Sequence, residues 1–127
     1  MEAHPYFTQK ELRVTLDKYG IKLMSWYPLG HGDKSLIQEP VFAELGKKYG
    51  KTPAQVILRW HLQMGFVVIP GSKNVDHLKD NLNIMDFELT ADEMAKIAKL
   101  DKGERYYHRT EEQLIQFAAW KPDFEKV

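Results

Sequence analysis

The chain lacks cysteine, and neither sign of charge is in excess. None of its 127 residues is cysteine, and 18 Lys and Arg residues balance 18 Asp and Glu residues. The missing cysteines exclude disulfides, thiolate metal sites and cysteine nucleophiles. A formal net charge of zero provides no field that would attract nucleic acid or an acidic membrane surface.

Long hydrophobic runs are also missing. No apolar run is long enough to span a bilayer, and the first residues show no signal-peptide pattern. We therefore expect a soluble, cytoplasmic protein. His4, His61 and His108 lack metal-ligand spacing with carboxylates, so we expect no metal site. Hydrophobic residues make up 43% of the chain, enough for one compact domain with a core.

Hydroxyl residues placed three positions before Glu or Gln predict the starts of four helices. These capping boxes are Thr8 to Glu11, Thr52 to Gln55, Thr90 to Glu93 and Thr110 to Gln113. Further helices are predicted to begin near Pro40 and near Asn74, and apolar residues at 21–27 and 66–69 predict two buried strands. Alternation of this kind indicates a parallel α/β architecture. Two parallel strands cannot bury both sheet faces or close a barrel, so residues 1–127 are expected to form one partial domain.

The segment from Val67 to Asn81 has the pattern of a strand, a loop and a helix. A short apolar run ends in Pro70-Gly71 and continues through Ser72, Lys73 and Asn74 into a helical segment. Backbone N–H groups and the helix dipole gather at such a junction and favour phosphate. Because many units of this kind bind nothing, the pattern alone only suggests a site.

Four motifs together resemble the aldo-keto reductase family. They are Glu2-Ala3-His4-Pro5-Tyr6, Trp26-Tyr27-Pro28-Leu29-Gly30, Thr52-Pro53-Ala54-Gln55-Val56 and Ile69-Pro70-Gly71-Ser72. Their order and spacing match the carboxyl-terminal portion of that family, and the bacterial branch that includes 2,5-diketogluconate reductases is most similar. The resemblance extends to Glu104-Arg105-Tyr106-Tyr107. It implies the C-terminal part of a (β/α)8 TIM barrel: the end of strand six, strands seven and eight with their helices, and the C-terminal helices.

The resemblance also implies an oxidoreductase that reduces aldehydes or ketones with NADPH. The catalytic Asp, Tyr, Lys and His of the family lie in the first half of the barrel, and none of them maps onto this chain. We therefore expect no catalytic residue here and a chain that is inactive alone. The alternative is a non-enzymatic module whose open sheet edges pair with a second copy or with the missing half of the barrel.

Cofactor-binding positions of the family do map onto the loop that follows the first strand. Trp26 matches the aromatic residue on which the nicotinamide ring stacks, although a barrel-core aromatic is the simpler interpretation of the residue itself. Tyr27, Leu29 and Gly30 match the loop beneath the pyrophosphate, or they form an ordinary turn. His31 is either a polar pyrophosphate contact or an exposed loop residue.

The loop after the second strand matches the adenosine end of the cofactor site. Ser72, Lys73 and Asn74 match residues that hold the 2′-phosphate, and Asp80 and Asn81 match positions that touch adenine. Helix capping is the alternative for Ser72 and Asn74, and one residue can serve both purposes.

Two positions in this region depart from the family pattern. Gly71 stands where many members have Lys, and His77 where they have the Arg that clamps the 2′-phosphate. Losing these cations should weaken the discrimination of NADP from NAD, because bidentate phosphate recognition favours Arg. Lys73 could restore one charge. We expect NADP in the parent enzyme, with NAD possible.

The last helical segment contains Phe117 and Trp120. It matches the family loop that borders the substrate pocket, and a docked terminal helix is the alternative interpretation. The expected partners of the full-length enzyme are a nicotinamide dinucleotide and a small carbonyl substrate.

Overall fold

Two short parallel strands organise the chain. The computed structural model describes residues 1–121. Strand β1 (Met24–Ser25) pairs in parallel with β2 (Val67–Val68), and Met24 lies opposite Val67. A parallel bridge from Glu2 to Trp26 extends this pairing toward the first residues, where the end of a preceding strand is expected. The predicted parallel α/β arrangement is therefore confirmed.

Residues 1–121 form six helices. They are α1 (Lys10–Lys18), α2 (Pro40–Tyr49), α3 (Pro53–Gln63), α4 (Val75–Leu82), α5 (Ala91–Ala98) and α6 (Glu111–Ala119). The capping boxes predicted at Thr52, Thr90 and Thr110 are confirmed, with both reciprocal hydrogen bonds present in each. None of these helices has the length and apolar character needed to cross a membrane.

The prediction for the start of α1 is wrong. The helix begins at Lys10, and its N-cap is Gln9, which has a left-handed backbone (φ 55°) and makes no side-chain capping bond. The Thr8 hydroxyl instead donates to the carboxylate of Asp101. The Thr8 side chain thus makes a tertiary hydrogen bond instead of the helix cap that the local pattern predicted.

The two strands are shorter than the apolar runs that predicted them. The runs at 21–27 and 66–69 contribute only two residues each to the paired sheet. Ladder hydrogen bonds require a neighbouring strand, and within residues 1–121 this sheet has two strands. Hydrophobicity marks where a strand can form, whereas the number of available partners sets its length.

The core lies between the sheet and the helix pair α2 and α3. Phe42, Val56, Ile57 and Trp60 are almost completely buried there. Gly46 permits the close approach at the α2–α3 turn, since a Cβ atom at this position would lie 2.5 Å from the Lys51 carbonyl oxygen.

His61 joins α3 to the first residues of the chain. Its side chain is fully buried, with Nδ1 2.8 Å from the Ile57 carbonyl and Nε2 3.1 Å from the Ala3 carbonyl. Burial lowers the pKa of His61 to about 4. The imidazole is therefore neutral at pH 7 and can donate only one of the two hydrogen bonds. This histidine has a structural role.

A buried carboxylate fixes α5 against α2. Lys48 donates to Glu93 at 2.5 Å, and the Tyr49 hydroxyl and the Thr90 N–H donate at 2.7 and 2.8 Å. Burial by itself would raise the pKa of Glu93, but these three donors outweigh it and lower the pKa to about 2. The ionised form of Glu93 thus contributes to the stability of the fold.

This contribution should disappear in acid. Because the pKa of Glu93 is about 2 in the folded chain and 4.5 ordinarily, its stabilisation is complete above about pH 4.5 and is lost as the pH falls toward 2. In urea unfolding followed by circular dichroism from pH 7 to 2.5, Glu93→Gln should have a shallower decline in the free energy of unfolding than the parent chain. The matched control is Glu44→Gln, which changes an exposed carboxylate of α2. Equal slopes for the parent and Glu93→Gln would contradict the assignment.

Candidate functional site

The loops that follow the two strands meet at one edge of the sheet. Since the strands are parallel, the loops after β1 and β2 leave the sheet at the same edge. A cavity of about 300 Å³ lies between them. Its lining includes Leu29 from the first loop, Ser72 from the second loop, and His77, Asp80 and Asn81 from α4. The structure therefore brings five of the predicted cofactor-site residues together around one cavity.

Side-chain caps shape the entry to α4. Asn74 is the N-cap, and its Oδ1 accepts a hydrogen bond from the Asp76 N–H at 2.9 Å. The Ser72 hydroxyl oxygen accepts from the Asn74 N–H at 3.0 Å. The capping interpretation is confirmed for Asn74, whereas Ser72 precedes the cap and bonds to the N–H of Asn74 instead of to a helical residue. Each keeps protons to donate, because a hydroxyl has one O–H and an amide has two N–H groups, so these hydrogen bonds leave them able to contact a ligand.

Gly71 and His77 line the cavity. His77 is exposed on α4, and Lys73 is exposed on the loop that follows Gly71. A Cβ atom added to Gly71 would meet no atom within 4 Å, so a longer side chain fits there. Within residues 1–121, no group of three His, Cys, Asp or Glu side chains is placed to hold a metal ion.

An aromatic cluster occupies the first loop. The Trp26 ring is 42% exposed and stacks on Tyr27, with ring centroids 4.2 Å apart. Tyr107 meets the Trp26 ring edge-on at 5.1 Å, and His31 lies 3.6 Å from the Tyr27 ring. Tyr27 and His31 have positive φ angles of 57° and 51°, a conformation that costs energy for residues other than glycine. The packing of these rings maintains that conformation.

Gly30 allows the C-terminal segment to reach this loop. Its φ angle is 91°, and a Cβ atom there would lie 3.3 Å from the Tyr106 hydroxyl oxygen. The Tyr106 N–H also donates to the Glu2 carboxylate at 2.5 Å. The segment that follows α5 is therefore attached both to the first residues and to the loop after β1.

The terminal helix does not dock. All nine residues of α6 are exposed, so the docked-helix interpretation of Phe117 and Trp120 is wrong. Phe117 contacts the guanidinium of Arg109 at 4.3 Å and stacks near Trp120 at 6.1 Å. A border to a substrate pocket remains a prediction for this segment.

Three residues near the site had no role in the sequence-based prediction of the cofactor site. Tyr106 and Tyr107 contact the first loop, and Arg109 stacks on Tyr107 at 4.7 Å. The only signal in the sequence is the cluster of aromatic and basic residues from Arg105 to Arg109. Such a cluster does not reveal which distant loop it contacts.

Comparison with known proteins identifies the family. Residues 1–102 match the model of the aldo/keto reductase family. The chain belongs to this family. Methylglyoxal reductase DkgA of Escherichia coli K12 is 43% identical over 105 residues, which are 83% of this chain and 38% of that reductase. The 2,5-diketo-D-gluconic acid reductase B of Corynebacterium is 43% identical over 103 residues, or 81% of this chain and 37% of the reductase.

Solved structures of aldo-keto reductases have the same fold over this region. A mutant of Gox0644 in complex with NADPH is 42% identical and superposes with a TM-score of 0.76, over 80% of this chain and 36% of that protein. The chain thus spans less than two fifths of the length of these relatives. Its architecture is the C-terminal part of an α/β TIM barrel, as the resemblance implied.

Proposed function

We propose that this chain is the C-terminal part of an NADP-dependent oxidoreductase that reduces aldehydes or ketones. In this proposal it provides part of the cofactor site. The observation that supports it is the cavity lined by Leu29 of the first loop, Ser72 of the second loop and His77 of α4. The NADPH bound by the related Gox0644 mutant supports the choice of dinucleotide. We also propose that residues 1–127 form a single partial domain and that the protein is cytoplasmic. A chain without cysteine has no disulfides to form, so it does not need an oxidising compartment.

Each end of the dinucleotide has its own set of residues in this proposal. Trp26 stacks on the nicotinamide ring, which its 42% exposure permits. Ser72, Lys73 and Asn74 hold the 2′-phosphate through hydroxyl, ammonium and amide donors, and His77 stands beside them. The remaining contacts are Tyr27, Leu29 and Gly30 at the pyrophosphate and Asp80 and Asn81 at the adenine.

The 2′-phosphate position should respond to a stronger cation. In calorimetric titrations of the chain with 2′-phospho-AMP, His77→Arg should bind about tenfold more tightly than the parent, because an arginine–phosphate pair forms two charge-assisted hydrogen bonds. Gly71→Lys should add to the effect, because the space beside Gly71 is open.

Two controls test whether the change in affinity comes from position 77 and from the 2′-phosphate. Lys79→Arg exchanges one cation for another on the same helix and should leave the affinity unchanged, and AMP, which lacks the 2′-phosphate, should not distinguish His77→Arg from the parent. Absence of binding heat with both NADPH and 2′-phospho-AMP would refute a cofactor site in this chain.

The chain by itself should not reduce carbonyl compounds. General acid catalysis needs a positioned proton donor with a shifted pKa, and no residue of this chain matches the catalytic Asp, Tyr, Lys or His of the family. Absorbance at 340 nm should therefore stay constant when the purified chain is mixed with NADPH and methylglyoxal. Consumption of NADPH above the rate of a protein-free control would contradict this expectation.

A second candidate function is a half-barrel module that associates with another copy or with a complementary half. The observation that favours it is the exposed apolar face of the sheet, where Met24 and Val67 lie opposite each other and Ile69 follows β2. Such faces and unpaired strand edges promote association.

The association should depend on this face. Light scattering should show a mass that rises with the concentration of the parent chain, whereas Ile69→Asp should remain monomeric. The matched control is Val14→Asp, which places the same charge at an equally exposed apolar residue of α1, with 71% exposure against 68% for Ile69. A monomeric parent over a wide concentration range would refute the module.

A further inference from the structure

The buried side chain of Glu2 joins two parts of the chain that lie far apart in sequence. It is 7% exposed, and its Oε1 accepts a hydrogen bond from the Tyr106 N–H at 2.5 Å. The Nε2 atom of His4 lies 3.0 Å from the same oxygen. Burial lowers the pKa of His4, and within residues 1–121 its Nδ1 has no partner, so the one proton of the neutral ring belongs on Nε2, facing Glu2. Two N–H donors from separate segments therefore hold one carboxylate oxygen.

This hydrogen bond is the polar contact that fixes the backbone of residues 105–109, which belong to no helix or strand. Within residues 1–121, the Tyr106 N–H is the one main-chain group of this segment that has a hydrogen bond. Ring contacts add to it: Tyr106 meets His4 at 4.6 Å, and Tyr107 meets Trp26 at 5.1 Å. Apolar packing is non-directional and tolerates small shifts, whereas a hydrogen bond to a fixed oxygen defines a position. The Glu2 carboxylate thus determines where the segment lies.

Glu2 is also attached to the strand end that carries Trp26. The two residues form a parallel bridge, and the Trp26 N–H donates to the Met1 carbonyl at 2.7 Å. The main chain at Glu2 is therefore fixed beside the indole, while the side chain of Glu2 fixes Tyr106. Because Tyr107 is the next residue and touches the indole, Glu2 holds both partners of the contact between Tyr107 and Trp26.

We propose that Glu2 is a positioning residue for the nicotinamide end of the cofactor site, where its carboxylate holds the Tyr107 ring against Trp26 and so keeps the indole ready for stacking. This inference rests on the proposed function, because it uses the assignment of Trp26 to the nicotinamide. In this role Glu2 touches no ligand and transfers no proton. Its loss should lower the affinity for the nicotinamide alone, because the adenosine end is fixed by separate hydrogen bonds at Ser72 and Asn74.

The position of the Tyr107 ring can be observed by NMR. The isotope-labelled chain should show nuclear Overhauser contacts between the ring protons of Tyr107 and the indole of Trp26. Glu2→Gln keeps an acceptor of the same shape without the charge and should weaken these contacts, because a charge-assisted hydrogen bond is about twice as strong as a neutral one. Glu2→Ala removes the acceptor and should abolish them.

The matched control for this experiment is Glu39→Gln. It neutralises a neighbouring carboxylate that accepts from the Tyr6 hydroxyl at 2.5 Å and should leave the contacts between Tyr107 and Trp26 unchanged. Contacts of full strength in a folded Glu2→Ala chain, or an equal loss in Glu39→Gln, would overturn the proposal. If Glu2→Ala does not fold, undiminished contacts in Glu2→Gln overturn it instead.

Ligand affinities test the consequence for the nicotinamide. The probes are NADPH, whose reduced ring is uncharged, and 2′-phospho-ADP-ribose, which lacks only the nicotinamide. In calorimetric titrations the parent chain should bind NADPH about fivefold more tightly, since stacking on an aromatic ring adds about this factor. Glu2→Gln should reduce this ratio to about twofold, because it retains only the weaker neutral hydrogen bond, and should leave the affinity for 2′-phospho-ADP-ribose unchanged.

A second variant separates positioning from a general loss of structure. Tyr107→Leu removes the ring that Glu2 positions and should also reduce the NADPH ratio. If Glu2 acts through Tyr107, adding Glu2→Gln to Tyr107→Leu should reduce the ratio no further. Additive losses, or an equal weakening of both ligands by Glu2→Gln, would identify a merely structural residue and overturn the proposal.

Failure of the proposed function has a different signature. If neither ligand binds, the cofactor site is refuted, while the NMR series still decides whether Glu2 positions Tyr107. Equal affinities of the parent chain for both ligands would leave the adenosine end intact and overturn the positioning role at the nicotinamide.

Discussion

The candidate site depends on the parallel register of β1 and β2. With Met24 opposite Val67, the loops after both strands leave one edge of the sheet, and Leu29 reaches the cavity that contains Ser72 and the side chains of α4. A slip of one residue would exchange exposed Met24 with Ser25. The Ser25 hydroxyl is buried and donates to the Ala3 carbonyl at 2.5 Å, so the slip would break this hydrogen bond and expose the serine. Burial and hydrogen bonding together therefore maintain the register.

The same register explains why the chain exposes apolar side chains at its sheet. Successive residues of a strand point to opposite faces, and α3, with α2 packed against it, lies on one of them. Met24 and Val67 lie on the other face, where they are 52% and 42% exposed. Residues of these types are suited to the interior of a closed barrel. The chain spans 38% of the length of DkgA. Its exposed apolar sheet residues are therefore of the kind that a complete barrel would bury.

Local signals predicted much of the fold, and tertiary contacts explain where they failed. The capping boxes at Thr52, Thr90 and Thr110 involve atoms only three residues apart, so the sequence determines them almost alone. Thr8 has the same pattern, but Asp101 competes for its hydroxyl from far along the chain. In the site, Ser72 and Asn74 could be predicted at the start of α4, because the free backbone N–H groups there attract side-chain oxygens and phosphate alike. The contact of Tyr107 with Trp26 could not be predicted from the sequence, because it depends on the path that the segment after α5 takes through space.

Different interactions stabilise the two ends of the candidate site: hydrogen bonds at the start of α4 and ring stacking at Trp26. At the α4 end, side-chain oxygens of Ser72 and Asn74 satisfy backbone N–H groups, so the loop is fixed by hydrogen bonds before any ligand arrives. At the Trp26 end, stacked rings offset the left-handed backbone of Tyr27, a strain of about 1–3 kcal/mol for such a residue. Tyr27 stacks on the indole and Tyr107 packs against it in a T-shaped contact. Polar substitutions in the aromatic cluster should therefore alter that end without disturbing the capped loop, because the two ends share no side chain.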